Sequence, residues 1–311
     1  MDNDNLKKLI KKNKPDISIS SINTYLTNIR STGSKIGIAF KNISDIVDNA
    51  DKIFESMTGL KTNTRKSKLA SFIVVLDNKD NSKKVNDILT KFRGQMNKDL
   101  VEIKDKDTSQ TLSENQKANY VPWKEVLNLK TILETEATPL FKLKNLTTKQ
   151  FIKLTDYIIL SLYTEIAPRR SLDYTAFKIK GINKETDNYL DIKKGKYTMV
   201  FNKYKNSSRL GKQEVELPPA FGKILKQFID KNPYDYLIVN KLGKSVLQNY
   251  IAKTLNRLFD KNVSSGMLRH SYLTHKFGAV DLKDLEQTTK DMGNSQVSRT
   301  LSYVSKENGE K

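Results

Sequence analysis

The chain has 311 residues, no cysteine and a formal net charge of +20 at pH 7, from 55 Lys and Arg against 35 Asp and Glu. This length suffices for two ordinary domains, and the lack of cysteine excludes disulfides, thiolate zinc sites and thiol catalysis. With no signal-peptide pattern and no apolar run near the ~20 residues that span a bilayer, we expect an intracellular protein without a membrane partner. The charge excess favours nucleic acid as the partner.

Residues 1–104 have the apolar spacing of amphipathic helices and predict a small helical domain. Ile22, Tyr25, Leu26 and Ile29 follow the i, i+3, i+4, i+7 pattern behind Ser20, which we expect to cap their helix. Later in this domain, basic and hydroxyl side chains precede an apolar helix, which suits phosphate contact as well as it suits a solvated helix end. The candidate DNA-contacting residues in this segment are Lys61, Arg65, Lys66 and Lys68.

A polar segment without apolar periodicity, residues 105–120, predicts a linker, and residues 121–311 predict a second domain. A strongly apolar helix is predicted at 151–166, behind Thr147 or Thr148 as its cap. Short β-rich runs at 189–192, 196–201 and 213–217 predict a three-stranded antiparallel meander. Further helices are predicted from Pro219 and at about 244–259, 267–277, 281–291 and 296–304. The fold class is therefore mainly α with a small antiparallel sheet.

The last part of the chain has polar residues in an order that suits cleavage of a DNA phosphodiester. Arg269 lies beside His270, and Tyr303 follows Asn294 by nine residues. A reaction without a metal needs a nucleophile, cations on the non-bridging oxygens and an acid for the leaving oxygen. Arginine holds two phosphate oxygens in a planar fork. Tyrosine is a possible covalent nucleophile, provided that cations favour its phenolate over a pKa of about 10.

With these residues, the sequence resembles the tyrosine recombinases of the lambda-integrase type, and most closely the divergent integrases of large DNA viruses and virophages. The resemblance covers nearly the whole chain, from the Ser-Ile-Asn-Thr-Tyr-Leu helix at 21–26 onwards. It implies a helical core-binding domain and an α+β catalytic domain that hold double-stranded DNA and self-associate from dimer to tetramer. The implied activity is site-specific recombination or integration through a 3′-phosphotyrosyl intermediate, with no cofactor, metal or ATP.

The resemblance also implies roles for the residues upstream. An arginine followed three residues later by an acid selects Arg170, with Asp173 as its ion-pair partner; Arg169 is the fallback and a further DNA contact. The family has a lysine on the hairpin between the second and third strands, which protonates the leaving 5′-oxygen. Lys205 is the preferred residue for this role, with Lys203 as the alternative and as a DNA contact.

In the last part of the chain, the resemblance implies that Arg269 is the second phosphate-binding arginine and that Tyr303 is the nucleophile. Two positions depart from the family. Gly266 stands where His or Lys is usual, and Asn294 stands where His is usual. We expect Asn294 to donate a hydrogen bond to a phosphate oxygen without acting as acid or base, and His270 to compensate in part.

Three alternatives stay open. A type IB topoisomerase would use the same chemistry to relax DNA without exchanging partners. A DNA-binding relative that has lost activity would fit Gly266 and Asn294. A metal-dependent integrase with an acidic triad is the weakest alternative, because the acidic residues have no recognisable spacing.

Overall fold

The computed structural model of the chain describes residues 4–78, 81–109, 112–277 and 282–293. Over these residues the protein is mainly helical, with one small mixed sheet of four strands. The chain divides into two compact units, Met1–Ser109 and Gln110–Lys311. None of the helices in the described ranges combines the length and the apolar character that a membrane crossing requires.

The first unit contains helices and no strand among its described residues. They are α1 (Asp4–Asn13), α2 (Ile19–Ile36), α3 (Ile43–Asp48), α4 (Ala50–Glu55), α5 (Thr62–Leu76) and α6 (Lys83–Ser109). Their apolar faces enclose one core, in which the rings of Phe40 and Phe92 pack edge-on against Phe72. The helical character predicted for this part of the chain is confirmed.

Helix α2 confirms the predicted apolar stripe but not the predicted cap. Ile22, Leu26 and Ile29 are buried. The cap is Ser18, whose backbone is extended and whose Oγ accepts a hydrogen bond from the N–H of Ser21 at 3.1 Å. A cap must have an extended backbone one residue before the helix, and Ser20 already lies inside it. The expectation for Ser20 was therefore wrong by two residues.

The segment predicted as a linker is largely helical. Helix α6 continues to Ser109, and α7 (Glu114–Asn119) follows behind a capping box between Ser113 and Gln116. The boundary between the two units lies inside this segment. Because α7 exposes most of its side chains, its composition is as polar as that of an unstructured linker, and the composition alone does not distinguish the two.

The second unit contains the sheet and further helices. In chain order these are α7, α8 (Trp123–Ala137), a 3-10 helix (Thr138–Lys142), α9 (Thr148–Thr164), α10 (Ser171–Thr175), β1 (Phe177–Lys178), β2 (Asn188–Lys193), β3 (Lys196–Phe201), α11 (Ser207–Leu210), β4 (Gln213–Glu216), α12 (Pro219–Lys231), α13 (Gln248–Phe259), α14 (Ser265–Lys276) and α15 (Leu282–Asp291). The predicted apolar helix is α9, capped by Thr147, and its residues from Leu154 to Tyr163 are buried. The last predicted helix, 296–304, lies outside the described residues.

The sheet has the order β1-β2-β3-β4. Strands β2, β3 and β4 form the predicted antiparallel meander, and Lys194 and Gly195 make the two-residue turn between the first two with φ of 48° and 78°, as a type I′ turn requires. The prediction missed β1, which pairs in parallel with β2. A strand of two residues is too short to show an alternating pattern in the sequence. Because β1 runs parallel to β2, the sheet is mixed and not purely antiparallel.

We expect Gly222→Ala to destabilise the second unit. A Cβ built on Gly222 of α12 lies 2.3 Å from the ring and 2.7 Å from the Cβ of Tyr197 on β3, and overpacking of this kind costs about 1–3 kcal/mol. Gly94→Ala is the control, because a Cβ at this exposed position in α6 meets nothing within 4 Å. There the gain in helix propensity should stabilise by about 1 kcal/mol. Chemical unfolding of the full chain measures both, and equal effects would contradict the packing described here.

Candidate functional site

Arg169 and Asp173 form a wholly buried ion pair at the beginning of α10. The Nε of Arg169 donates to Oδ2 of Asp173 at 2.9 Å, and both side chains are 0% exposed. The predicted partner of Asp173 was Arg170, and that pairing is wrong. The guanidinium that contacts the Asp173 carboxylate belongs to Arg169, four residues before it in the chain. The three-residue interval had indicated Arg170.

Both terminal nitrogens of Arg169 make hydrogen bonds inside the protein. Nη1 donates to the backbone carbonyl of Asp291, and Nη2 donates to Oε1 of Gln213 at 2.9 Å. The guanidinium carbon lies 4.0 Å from the ring centre of Phe201 and 5.3 Å from that of Tyr204. The enclosed side chain, with a hydrogen bond from each of its three nitrogens, favours a structural role for Arg169, and its contact with DNA stays a prediction.

Three arginines from two distant segments lie around the Asp173 carboxylate. Burial raises the pKa of Asp173 above its usual value, and the charges of Arg169, Arg170 and Arg269 oppose that shift only in part. Arg269, on α14, is 2% exposed, whereas Arg170 is half-buried. The fold thus brings together the two arginines that the sequence had singled out, about one hundred residues apart in the chain.

The C-terminal end of α15 lies against this cluster. Its backbone carbonyls accept hydrogen bonds from side chains of other elements: Lys290 from Gln213 Nε2 at 2.9 Å, Asp291 from Arg169, and Gly293 from Arg170 Nη1 at 3.2 Å and Asn206 Nδ2 at 2.6 Å. The last carbonyls of a helix have no partner within it and carry its negative dipole end. Two guanidinium groups and two amides supply those partners here.

Gly293 has a backbone conformation that favours glycine, and it lies in contact distance of the arginine cluster. Its φ is +65°, and a Cβ there would lie 3.4 Å from both Nη2 of Arg169 and the ring of Tyr204. The turn that ends α15 is therefore held close to the arginine cluster. Asn294 is the next residue in the chain, but both Asn294 and Tyr303 lie outside the described residues.

The loop between β3 and β4, which contains both candidate lysines, is anchored by Asn188. Its Oδ1 accepts from the N–H groups of Asn202 and Lys203 at 2.8 and 2.7 Å, and its Nδ2 donates to the carbonyls of Asp173 and Lys203. This side chain is 5% exposed, so one satisfied amide fixes the loop relative to the arginine segment. Lys203 and Lys205 are exposed, and Lys203 lines a cavity of about 390 Å³ beside Asn188.

Helix α14 presents Arg269 and His270 from a well-defined beginning. Ser264 caps the helix by accepting from the N–H of Met267, and Ser265 Oγ lies 3.0 Å from Ser171 Oγ on α10. This hydroxyl contact ties the two arginine segments together. The ring of His270 is partly buried, and its Nε2 lies 3.4 Å from Nε2 of Gln116 on α7.

The predicted phosphate-contacting residues of the first unit, at 61–68, fall into two groups: two contact other side chains of the unit, and two are at least partly exposed. Arg65 donates through Nε and Nη2 to Asp99 at 3.0 and 2.6 Å, and Asp99 is 1% exposed. Lys68 donates to Ser31 Oγ at 2.6 Å, and burial lowers its pKa. These contacts favour structural roles for Arg65 and Lys68, against the expectation. Lys61 is exposed and Lys66 partly so, and their contact with DNA stays a prediction.

The amides of the site were missed by sequence reasoning. Asn188, Asn206 and Gln213 connect the sheet to the arginine cluster and to α15, yet they have no distinctive spacing in a chain rich in Asn and Lys. Within the described ranges, no group of three or more His, Asp or Glu residues is placed to hold a metal ion. The chain matches no protein-family model, and no curated protein sequence matches it significantly.

We expect Asp173→Asn to destabilise the second unit by about 3–5 kcal/mol, because it leaves the Arg169 charge buried without compensation. The free energy of unfolding in denaturant measures the loss. Asp191→Asn is the matched control: Asp191 pairs with the exposed Lys193 on β2 at 2.7 Å, where solvent screens the interaction. An Asp173→Asn protein as stable as this control would contradict the role of the buried pair.

We expect Gln213→Glu to loosen α15 while preserving an acceptor for Arg169. The substitution removes the donor to the Lys290 carbonyl and sets a negative charge against the negative end of the helix. One lost hydrogen bond of about 1 kcal/mol corresponds to roughly fivefold faster amide exchange in α15. Hydrogen–deuterium exchange measures this change, and Glu214→Gln on the same strand, exposed and paired with Lys212, should leave the exchange of α15 unchanged.

Proposed function

We propose that the protein is a site-specific DNA strand transferase of the tyrosine-recombinase class. The observation that carries the proposal is that Arg170 and Asn206, from the loop with the exposed lysines, both contact the helix end that precedes Asn294. Arg170 and Arg269 also both act electrostatically on the buried carboxylate of Asp173. A cluster of fixed guanidinium groups stabilises the charge that develops on a phosphate during its transfer. The order of these residues along the chain is the order in which the resemblance requires them.

In the proposed reaction, Tyr303 loses its hydroxyl proton to solvent, its phenolate oxygen attacks the scissile phosphorus, and the bond to the 5′-oxygen breaks. A 3′-phosphotyrosyl bond forms, and the leaving 5′-oxygen takes a proton from Lys205. Arg170 contacts the non-bridging oxygens, and Arg269, which is 2% exposed, stabilises their charge from inside the protein. The charges of both arginines favour the phenolate of Tyr303. Attack of a 5′-hydroxyl on the phosphotyrosyl bond re-forms the DNA phosphodiester and releases Tyr303. Because the phosphotyrosyl bond retains the energy of the phosphodiester, rejoining requires neither ATP nor a metal.

Arg169 has a different role in this proposal from that of its neighbour. Its guanidinium is enclosed and each of its three nitrogens makes a hydrogen bond, so it is a positioning residue for α10, β4 and α15. Arg170, half-buried and immediately before the first residue of α10, is the arginine that a phosphate reaches. The assignment of Arg170 therefore stands in the proposal without the Asp173 pairing on which it had been based.

The two units correspond in this proposal to a core-binding domain and a catalytic domain, both in contact with double-stranded DNA, with self-association on paired sites. A second candidate is a DNA-binding protein without cleavage activity. It is favoured by Gly266, which lies in the first turn of α14 and provides no imidazole beside Arg269. Both candidates bind DNA, and only the first one forms a covalent complex.

We expect the wild-type protein to form a covalent complex with nicked duplex substrates, in which loss of the short fragment traps the intermediate. Tyr303→Phe should abolish the complex because the nucleophilic oxygen is gone. Arg170→Ala should lower its rate by roughly 10²–10³-fold, as does removal of one donor to a developing oxyanion. Denaturing electrophoresis of protein bound to labelled DNA measures both effects, and Lys205→Ala and Lys203→Ala in the same assay identify the acid.

Tyr234→Phe is the control, since this exposed tyrosine should leave the covalent yield unchanged. Covalent complexes that persist in Tyr303→Phe would overturn the assignment of the nucleophile. Sequence-selective binding by the wild type without any covalent product would favour the non-cleaving candidate. Relaxation of supercoiled DNA by a monomer, without recombinant products, would favour a type IB topoisomerase.

A further inference from the structure

Helix α1 presents a row of four lysines on the surface of the first unit. Lys7, Lys8, Lys11 and Lys12 are all exposed. We propose that this row, the α1 lysine surface, is a docking surface for the phosphate backbone of duplex DNA. The inference rests on the proposed function for its choice of partner, but it does not depend on Tyr303 or on any residue of the candidate site.

The lysines are displayed by a helix that is fixed in place. Leu6 and Ile10, on the opposite face of α1, are 1% and 0% exposed in the core of the unit. The side chain of Asn13, the last residue of the helix, donates to the carbonyls of Val74 and Val75 at 2.9 and 3.1 Å. These two contacts satisfy the end of α5 and lock α1 to it. The row is therefore a rigid feature and not a frayed terminus.

The charges of the row repel one another. Lys7 and Lys11, and likewise Lys8 and Lys12, stand four residues apart, where like charges on a helix are destabilising by roughly 0.2–0.5 kcal/mol per pair. Within the described part of the chain, none of the four lysines has an acidic partner. Lys11 and Lys12 gain from the helix dipole in the last turn, whereas Lys7 and Lys8 do not. A polyanion along the helix would remove this repulsion.

The burial of the apolar face of α1 favours DNA over an anionic lipid membrane as the partner of the lysines. A basic amphipathic helix binds a lipid surface by inserting its apolar face, but Leu6 and Ile10 are already committed to the protein core. The exposed face is mostly polar, with Asp4 and Asn5 in the first turn and the four lysines after them. The lysines form two lines, Lys7–Lys11 and Lys8–Lys12, each about 6 Å long at a rise of about 1.5 Å per residue. Closely spaced charge along a line suits a polymer of phosphates, whose counterions are released on binding.

The α1 lysine surface differs from the segment that the sequence had favoured in the same unit. Arg65 and Lys68 turn towards Asp99 and Ser31, whereas all four lysines of α1 face solvent. The α1 lysine surface therefore adds a second candidate phosphate contact in the first unit, beside Lys61 and Lys66 at the beginning of α5.

The test is the salt dependence of DNA binding by the full chain. The variant Lys7→Gln/Lys8→Gln/Lys11→Gln/Lys12→Gln keeps helix propensity, and circular dichroism verifies its fold. The slope of log K against log salt, measured by fluorescence anisotropy with a labelled mixed-sequence duplex, should become shallower by about 3–4 if each lysine neutralises one phosphate. The matched control, Lys41→Gln/Lys52→Gln/Lys83→Gln/Lys98→Gln, removes four exposed lysines from separate places in the same unit and should change the slope by less than half as much.

Equal changes in the two variants, or no change in the α1 variant, would overturn the proposal. Loss of binding to phosphatidylserine vesicles, with DNA binding unaltered, would overturn it in favour of a lipid surface. The outcome is separable from that of the proposed function. A slope change in the α1 variant without covalent complexes in the wild type leaves the α1 lysine surface standing. Covalent complexes with an unchanged slope remove the α1 proposal alone.

Discussion

The second unit depends on the buried ion pair between Arg169 and Asp173. Two charges enclosed at 0% exposure cost desolvation free energy that their attraction repays only with good geometry and further hydrogen bonds. Neighbouring residues provide these bonds: Gln213 and the Asp291 carbonyl each accept a hydrogen bond from one terminal nitrogen of Arg169, and the ring of Phe201 covers the face of the guanidinium. A pair of this kind adds little to stability over an apolar core, but it specifies one arrangement of α10, the sheet and α15.

The hairpin of β3 and β4 also fixes the position of the C-terminal end of α15. Its loop supplies Asn206, and its second strand begins with Gln213, so both amides reach the same helix terminus. Arg170 donates to the last of the carbonyls. The consequence is that the chain leaves α15 from a point fixed by three elements, directly beside the half-buried guanidinium that the proposed reaction uses.

Much of this fold was predictable because its elements are long and periodic. The stripe of α2, the apolar length of α9 and the β2–β3 turn at Lys194-Gly195 all have local signals, and the structure confirms them. The choice between Arg169 and Arg170 had no such signal. Neighbouring side chains leave an extended backbone in different directions, and a difference of one residue in an interval does not show which of them faces the core. The pairing of Arg65 with Asp99, thirty-four residues away, likewise has no local signature.

The net charge of +20 does not distinguish basic side chains engaged inside the protein from those exposed to a partner. Some cationic side chains of this protein have structural contacts: Arg169 and Arg65 each form an ion pair with a buried carboxylate, and Lys68 donates a hydrogen bond to the hydroxyl of Ser31. Others, such as those of α1, are displayed on a rigid element with their apolar neighbours turned inward. Composition counts both kinds equally, although only the second kind is available to a polyanion. Burial and hydrogen bonding therefore decide which part of a basic sequence acts on a partner, and the net charge sets only how strongly that partner is attracted from a distance.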